Sequence, residues 1–313
     1  MEMEPKVSVI IPTHKGSGVV ERAVDSVLRQ TYRNIEVIVV DDNGRLSEEQ
    51  VKTEEVLKTY INDGLIKYVP HEVNINGSAA RNTGVKNSIG EYITLLDDDD
   101  EYLPDKVEMQ VKCFENLSNE YGMVYCGIQV NYPNNSYKRI PLTSGDLFLD
   151  LLFHYVVIGS DTLMVRRTCF EEIDGFDESF RRHQDFEFTA RIAKKWKIKA
   201  IEKVGVVSYE LNRNNPTQHD IQVEHRRHYL EKMLPIMKEL PKRTQRDVIS
   251  VNLVMLHGKD LRKFKFFKVY REIIKESQNI LDDYNFYDFL RSIILVECHK
   301  LFGKKNRVKV DKR

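Results

Sequence analysis

The chain of 313 residues lacks long hydrophobic runs, paired cysteines and any excess of charge of one sign. No stretch of about 18 consecutive apolar residues occurs, so the sequence predicts no transmembrane helix. The first residues have neither the basic start nor the apolar stretch of a signal peptide. We therefore expect a cytoplasmic protein, for which a contact with the inner face of the cell membrane stays open.

The cysteines and the charge balance exclude several classes of protein. The four cysteines lie far apart and form no CxxC pair. This spacing indicates neither a zinc cluster nor a disulfide framework, and it fits a reducing compartment. Lysine plus arginine and aspartate plus glutamate both number 48, so the formal net charge is zero. Because proteins that bind nucleic acid over their surface are usually basic, we expect no nucleic-acid partner.

The first 130 residues alternate between short apolar runs and amphipathic segments. The runs at Lys6–Thr13 and Ile35–Asp42 are rich in valine and isoleucine, as in strands buried on both faces of a parallel sheet. The segment between them has apolar residues at helical spacing, at Val20, Ala23, Val24, Val27 and Leu28. Strand, helix and strand form a βαβ unit. The sequence thus predicts an α/β fold with a Rossmann-like, mostly parallel sheet flanked by helices.

The character of the sequence changes after residue 130, where a polar, turn-rich link begins. We expect one domain over residues 1–215, with a first half at 1–130 and a second half at 131–215. Residues 216–313 are expected to form a helical C-terminal region. Within it, residues 289–310 combine apolar and basic side chains, which fits a basic helix lying on an anionic membrane or a packing helix with a solvated tail.

Acidic residues follow two of the predicted strands. Asp41 and Asp42 end the second strand, and four aspartates, Asp97 to Asp100, follow the strand EYITLL. In open α/β sheets, ligands bind beyond the carboxyl ends of the strands, where these side chains converge. Closely spaced carboxylates repel one another, and a hard cation with a diphosphate would relieve that repulsion. A solvated acidic turn is the alternative.

Four segments resemble, in order, the family 2 inverting glycosyltransferases: VSVIIPTHKGSGVVERAVDSVLRQTYRNIEVIVVDDNG, NGSAARNTG, EYITLLDDDDEYLPDKVE, and GFDES followed by QDFEF. The resemblance covers roughly residues 6–215 and implies the GT-A fold. It also implies a metal-dependent transfer of a sugar from a nucleotide-sugar, usually a UDP-sugar, with inversion and with Mn²⁺ or Mg²⁺ as cofactor. The implied acceptor is a hydroxyl of a glycan or lipid-linked saccharide, in bacterial surface polysaccharide synthesis.

The resemblance assigns a nucleotide-binding set near the first two strands. Pro12 and Thr13 would lie near the uracil, with His14 at a position where tyrosine is common. One of Asp41 and Asp42 would accept the uracil N3–H. That hydrogen bond would reject cytosine, which has no proton at this position.

The resemblance assigns the diphosphate and the metal to the next two segments. Arg81 would face the diphosphate, near the N-terminus of a helix that Ser78 can cap. Asp99 would bind the metal directly. Asp97 and Asp98 would bind the ribose or a metal-bound water, so Asp97 is a candidate for both nucleotide and metal.

Asp185 is the residue that the resemblance assigns as the catalytic base, which takes the proton of the acceptor hydroxyl. The family has a Glu-Asp pair here, and this chain has Gln184-Asp185. Without the family, Asp185 would be a favourable acid at a helix start. His183 is a second candidate base, and Asp161 and His219 are further site candidates. For these three residues a structural role is the simpler interpretation.

Two other functions stay open from the sequence. A nucleotidyltransferase also uses metal-binding aspartates on an α/β sheet, and PTHKGSG offers it Lys15 and two glycines as a phosphate loop. A non-catalytic module would bind UDP without transferring a sugar. The sequence does not indicate the sugar, the acceptor, the linkage, the oligomeric state or the choice between Mn²⁺ and Mg²⁺.

Overall fold

The computed structural model describes residues 4–209, 219–277, 280–281, 284–302 and 307–310. The chain forms two compact units. The first consists of Met1–Leu147, Ile158–Leu211 and Asn306–Arg313, and the second of Phe148–Val157 and Asn212–Lys305. The division expected at residue 215 falls outside the described residues and stays a prediction.

The strands belong to the first unit and form one sheet. They are β1 (Val7–Thr13), β2 (Ile35–Asp41), β3 (Lys67–Pro70), β4 (Tyr92–Leu95), β5 (Glu101–Tyr102), β6 (Tyr121–Asn131), β7 (Ser136–Arg139), β8 (Leu163–Arg166), β9 (Lys197–Tyr209) and β10 (Arg307–Val310). The helices of this unit are α1 (Val20–Leu28), α2 (Glu48–Asn62), α3 (Gly77–Lys86), α4 (Lys106–Glu115), α6 (Arg167–Glu172) and α7 (Gln184–Lys195).

The strand order is β10-β7-β6-β8-β4-β1-β2-β3, and β9 pairs with β5 and β6. Strands β3, β2, β1 and β4 run parallel, whereas β8 is antiparallel to β4. The predicted α/β fold with helices around the sheet is therefore confirmed. Because β1 and β4 are parallel neighbours, Thr13 and the four aspartates leave the sheet at the same edge.

Both faces of the central strands are buried against helices. Val9 and Ile11 of β1 belong to a core cluster that includes residues of α1, α2 and α4. On the opposite face α3 packs closely against the sheet, since a Cβ on Gly84 would lie 2.2 Å from the Ile10 Cγ2 atom. The continuous apolar runs of the sequence follow from this two-sided burial.

The second unit is helical, as the sequence predicts for most of the C-terminal region. Its helices are α5 (Phe148–Leu152), α8 (His219–Met233), α9 (Lys242–Leu256), α10 (Gly258–Leu261), α11 (Phe266–Ser277) and α12 (Phe286–Phe302). Among the helices that the structure describes, none has the length and apolar character that a membrane crossing needs.

The helix predicted within residues 289–310 is wrong at its basic end. Helix α12 ends at Phe302, and Arg307–Val310 forms β10, which pairs antiparallel with β7. Backbone pairing with the edge of the sheet decides this segment, and the local sequence does not encode such a partner.

Candidate active site

The acidic loop after β4 is tied to the end of β1. Thr13 donates a hydrogen bond of 2.6 Å from Oγ1 to Asp98 Oδ2. The close approach also requires Gly16, because a Cβ there would lie 1.9 Å from the same carboxylate oxygen. Two residues 85 positions apart are thus held together where β1 and β4 end.

Asp97 is held from two sides. Its Oδ1 atom accepts a hydrogen bond of 2.6 Å from Arg81 of α3, and its backbone N–H donates to Asp161 Oδ1 at 2.8 Å. The Arg81 side chain is only 4% exposed, whereas that of Asp97 is 38% exposed. The Nε of Arg81 is buried and has no hydrogen-bond partner in the described part of the chain. One N–H of this guanidinium is therefore left unsatisfied in the described residues.

The second half of the loop is held by its backbone and by Asp100. Arg22 donates to the carbonyl oxygen of Asp99 at 2.5 Å, and the Asp99 side chain is half-buried. The buried Asp100 accepts from the Tyr209 backbone N–H at 3.2 Å. Burial, together with Asp97 and Asp99, raises the pKa of Asp100 to about 7. Negative charge is thus in excess at this loop.

Asp161 lies behind the acidic loop. It is buried, and its carboxylate accepts the Asp97 N–H. Burial and the charges of Asp97 and Asp100 raise its pKa well above the usual range. The structure therefore brings Asp161 to the site as a residue that holds the loop backbone.

Asp41 and Asp42 lie beside the end of β1, with Asp41 paired in register with Thr13. Asp41 is fully buried. Its carboxylate accepts from the Tyr68 hydroxyl at 2.6 Å and from the N–H and side-chain amide of Asn43 at 2.9 and 2.8 Å. These contacts occupy both of its oxygens.

Asp42 is also buried, and its main partner is His71, which the sequence reasoning missed. His71 Nδ1 lies 2.7 Å from Asp42 Oδ1, and His71 Nε2 lies 2.9 Å from Thr83 Oγ1. Oδ1 also accepts from the Ile75 N–H, whereas Oδ2 accepts from Asn74 Nδ2 at 3.0 Å. The only sequence signal for His71 was its place directly after β3.

Pro12 and His14 flank the end of β1. Pro12 pairs in register with Val40 of β2, and His14 is exposed in the turn that follows β1. The backbone N–H of Lys15 in this turn donates to Asn43 Oδ1 at 2.7 Å. The turns after β1 and β2 are therefore joined.

Helix α3 begins at a different cap from the one expected. Asn76, not Ser78, accepts the hydrogen bond from the Ala79 N–H, at 3.0 Å. Ser78 lies inside the helix and donates to the Phe180 carbonyl oxygen at 3.1 Å. Asn76 also donates to the Glu178 carbonyl oxygen at 2.8 Å. Helix α3 thus fixes the loop that leads into α7.

Asp185 lies in the first turn of α7, after His183, whose backbone is left-handed with φ of 62°. Burial raises the pKa of Asp185 to about 6, against the lowering effects of the Phe186 N–H and of Arg81. Asp97 adds a small raising effect, so the Asp185 carboxylate lies within electrostatic range of both partners of the Arg81–Asp97 pair. The Gln184 Oε1 atom is buried and, among the described residues, has no hydrogen-bond partner. His219 begins α8, but its side chain lies outside the described residues.

The donor atoms of the acidic loop suit a hard cation. In the described ranges no group of three or more His, Cys, Asp or Glu side chains is arranged to hold a metal ion. Mg²⁺, however, is usually bound by one or two carboxylates together with substrate phosphates. Asp99 and Asp97 supply two such carboxylates, and Arg81 donates to one of them, Asp97.

A parallel β3-β2-β1-β4 core with an acidic loop at its carboxyl edge defines an α/β fold of the GT-A type. Glycosyl transferase family 2 matches residues 8–174. The chain therefore belongs to this family, whose members are glycosyltransferases, and the resemblance predicted from the motifs is confirmed.

Two curated relatives illustrate the match. An uncharacterized glycosyltransferase of Rickettsia typhi is 34% identical over 193 residues, which are 58% of this chain and 57% of the relative. WfgD of Escherichia coli is 29% identical over 195 residues, 62% of this chain and 72% of the relative, and is named a UDP-Glc:alpha-D-GlcNAc-diphosphoundecaprenol beta-1,3-glucosyltransferase. The chain matches between 27% and 57% of the length of the Rickettsia relatives.

Two solved structures share the fold. S. aureus TarS 1–349 in complex with UDP-GlcNAc has a TM-score of 0.61 at 17% identity, covering 81% of this chain and 73% of that one. The mannosyltransferase PcManGT from Pyrobaculum calidifontis, in complex with GDP-Man and Mn²⁺, has a TM-score of 0.59 at 16% identity, covering 97% of this chain and 89% of that one.

Proposed function

We propose that this chain is a metal-dependent inverting glycosyltransferase that moves a sugar from a UDP-sugar to a hydroxyl of a glycan or lipid-linked saccharide. The observation that carries the proposal is the buried Arg81, which bonds Asp97, keeps its Nε unpaired among the described residues and acts electrostatically on Asp185. The positive charge of Arg81 would help to bind a diphosphate placed at the acidic loop. The Arg81 guanidinium thus connects the acidic loop with Asp185, the expected base.

For the base of the nucleotide we propose Asp42 rather than Asp41. The Asp41 oxygens already accept three hydrogen bonds, whereas Asp42 Oδ2 accepts from Asn74 alone among the described residues. His71 and the Ile75 N–H would hold the Asp42 carboxylate so that Oδ2 accepts the uracil N3–H. Pro12, Thr13 and His14 would line the same end of β1.

Asp99 and Asp97 are the residues that we propose to hold Mn²⁺ or Mg²⁺, with Asp98 kept in place by Thr13. When bound, the divalent ion would neutralise the charge that develops on the leaving diphosphate. The use of a metal is supported by the structurally similar PcManGT, whose complex contains Mn²⁺ together with GDP-Man.

In the proposed reaction Asp185 acts on the acceptor. The acceptor oxygen forms a bond to C1 of the sugar while the bond from C1 to the diphosphate oxygen breaks on the opposite face, which inverts the configuration. The proton of the acceptor hydroxyl passes to the Asp185 carboxylate. A pKa of about 6 makes this carboxylate more basic than an exposed aspartate and leaves it ionised at neutral pH.

The acceptor class and the context are supported by one relative's name. WfgD is named as acting on an acceptor linked to diphosphoundecaprenol, with UDP-Glc as donor. We propose an acceptor of the same broad kind, a saccharide carried on a lipid or glycan, and a role in bacterial surface polysaccharide synthesis.

Calorimetric titration with UDP tests the donor site. The wild type should bind UDP with Mn²⁺ and lose most of that affinity in EDTA, and Asp99→Ala should lose the metal-dependent part. Asp63→Ala, which removes an exposed carboxylate at the end of α2, is the matched control and should bind as the wild type does. UDP affinity that is the same with Mn²⁺ and with EDTA would contradict the assignment of the metal.

The base is tested by transfer from a panel of UDP-sugars. Asp185→Asn should keep UDP binding and lose transfer. Asp174→Asn is the control, since it makes the same change at an exposed residue of the same unit, whose φ of 57° asparagine also adopts. Near wild-type transfer in Asp185→Asn would refute the base. Release of pyrophosphate from a nucleoside triphosphate would indicate a nucleotidyltransferase, and UDP binding without turnover a binding module.

A further inference from the structure

One segment of the second unit exposes aromatic and basic side chains together. Residues 259–275 contain seven lysines and arginines against two acidic residues. Every residue from 262 to 268 is exposed, and these seven residues are three phenylalanines and four cations. Phe264 is 82% exposed and Phe267 is 74% exposed. Large apolar side chains at such exposure usually mark an interaction site when they are grouped.

The backbone holds Phe264 outward in an unfavourable conformation. Its φ is 58°, in the left-handed region that bulky residues avoid. The turn is closed by bonds from the Phe264 N–H to the Leu261 carbonyl and from the Lys265 N–H to the Asp260 carbonyl. These two hydrogen bonds satisfy the last carbonyl groups of α10, so the turn is held by its own backbone and keeps Phe264 in the exposed position.

The apolar surface continues onto α12. The rings of Phe267 and Phe286 are stacked, with centroids 6.5 Å apart. From Phe286 the exposed face of α12 runs through Tyr287, Leu290 and Ile294, which recur at helical spacing. The surface is thus formed by two elements and is broader than one helix face.

The cations around this surface are available to a ligand. Lys265 and Lys268 pair with Asp260. In the part of the chain that the structure describes, no ion pair is formed by Lys259, Arg262, Lys263, Arg271 or Lys275. A cavity of about 990 Å³ opens beside the segment, and Arg262, Phe266 and Lys268 are among the residues that line it.

We propose that residues 259–275, with the exposed face of α12, form a docking surface for an anionic membrane. Phenylalanines surrounded by lysine and arginine insert at the boundary between lipid headgroups and acyl chains, while the cations contact anionic headgroups. A second protein copy would bring the same cations together and repel itself. The sequence leaves a membrane contact at residues 289–310 open, whereas the contact proposed from the exposed side chains lies mainly earlier in the chain.

Vesicle flotation of the full chain tests the surface, with phosphatidylcholine vesicles that contain or lack phosphatidylglycerol. We expect flotation only with phosphatidylglycerol, weakened by high salt. Arg262→Gln/Lys263→Gln should lower the binding constant by about 25-fold, at roughly fivefold per cation. Phe264→Ser/Phe267→Ser should lower it by about tenfold or more, because apolar insertion is lost.

Matched controls change similar residues in the first unit. Leu46 is 84% exposed and has a φ of 63°, so Leu46→Ser copies the exposure and backbone of the Phe264 change. Lys58→Gln/Lys86→Gln removes two exposed cations elsewhere. Both should float as the wild type does. UDP binding should be unchanged in all variants, so that a failure here is distinguishable from a failure of the proposed function.

Three results would overturn the proposal. The first is a wild type that does not float at any phosphatidylglycerol content, and the second is flotation that both segment variants retain. The third is evidence that the surface binds a partner other than a membrane. Light scattering that shows a dimer in the wild type and a monomer in Phe264→Ser/Phe267→Ser, or binding of single-stranded RNA lost in the same variants without flotation, would assign the surface to a second copy or to nucleic acid.

Discussion

Asp185 illustrates how the environment of one side chain sets its chemistry. An exposed aspartate has a pKa of about 3.9 and is a poor proton acceptor at neutral pH. Burial moves the pKa of Asp185 to about 6, while Arg81 keeps the shift from becoming larger. The carboxylate is then ionised at pH 7 and close in pKa to the working pH, which is the range that favours general base catalysis.

The pH dependence of transfer follows from this shift. Only the ionised carboxylate accepts a proton, so kcat at saturating donor should be level above pH 7 and fall toward tenfold per pH unit below about 6. Initial rates at constant ionic strength would show the profile, with UDP affinity measured at each pH as the control. A rate at pH 5 equal to that at pH 7 would contradict the assigned base.

Lys106 is a buried cation outside the proposed chemistry. It is fully buried, donates to the Thr94 hydroxyl and lies 3.8 Å from the centre of the Tyr102 ring. Burial lowers its pKa to about 7. Between pH 7 and about 10.4 the unfolded chain therefore holds a proton that the folded chain has released, so the contribution of Lys106 to stability improves as pH rises through this window.

Comparison with Lys106→Met isolates that contribution. The free energy of unfolding of the wild type minus that of the variant should increase from pH 7 to pH 9, by up to about 1.4 kcal/mol per pH unit. Urea unfolding at the two pH values measures it. Lys58→Met, at an exposed lysine, should give a difference that does not change with pH. A flat difference for Lys106→Met would mean that this amine stays charged in the folded state.

At the scale of elements, helix α3 organises the site. Its N-cap Asn76 and its residues Ser78 and Asn82 bind the backbone of the loop before α7, and Arg81 reaches the acidic loop. This is possible only because α3 lies very close to the sheet, where Gly84 faces Ile10 and Val40. The packing of one helix thus connects the donor side with the expected base.

Substitution of Gly84 tests that packing. Alanine favours a helix by about 1 kcal/mol over glycine, but its Cβ would lie 2.2 Å from Ile10 Cγ2, and overpacking costs about 1–3 kcal/mol. Gly84→Ala should therefore destabilise the protein in urea unfolding. Gly18→Ala, where a Cβ has no heavy atom within 4 Å, should change stability by less than about 0.5 kcal/mol. A Gly84→Ala variant more stable than the wild type would show that α3 can move away.

At the scale of the whole molecule, the chain divides into two compact units with separate cores. All the residues of the proposed active site belong to the first unit, and the proposed membrane surface belongs to the second. Such a division makes two unfolding transitions the expected behaviour.

Ligand and variants should act on different transitions. In calorimetry, UDP with Mn²⁺ should raise the midpoint temperature of the transition of the first unit. At a UDP concentration of 100 times Kd the gain in the free energy of unfolding is about 2.7 kcal/mol. Gly84→Ala should lower the midpoint of the same transition. Asp288→Ala should lower the other, because the buried Asp288 pairs with Arg243 and Arg246 in the second unit. A single transition that responds equally to all three would mean that the two units unfold together.

The sequence by itself determined the α/β class, the strands that end at the site and the family. Runs of β-branched residues, helical spacing and short motifs are local properties of the sequence. The runs and the spacing can be recognised because buried faces of strands and helices require apolar residues at regular positions. The acidic loop and Asp185 could be found in this way because each belongs to a motif.

Only the tertiary structure decided which partner each of these residues has. The Thr13–Asp98, Arg81–Asp97 and His71–Asp42 contacts join residues that are 85, 16 and 29 positions apart. Neighbours from other elements likewise decide three further features. These are the capping of α3 by Asn76 and not by Ser78, the pairing of β10 with β7, and the exposure of residues 262–268. The spacing of apolar residues shows which face of a helix or strand is buried, but it does not show which element packs against that face.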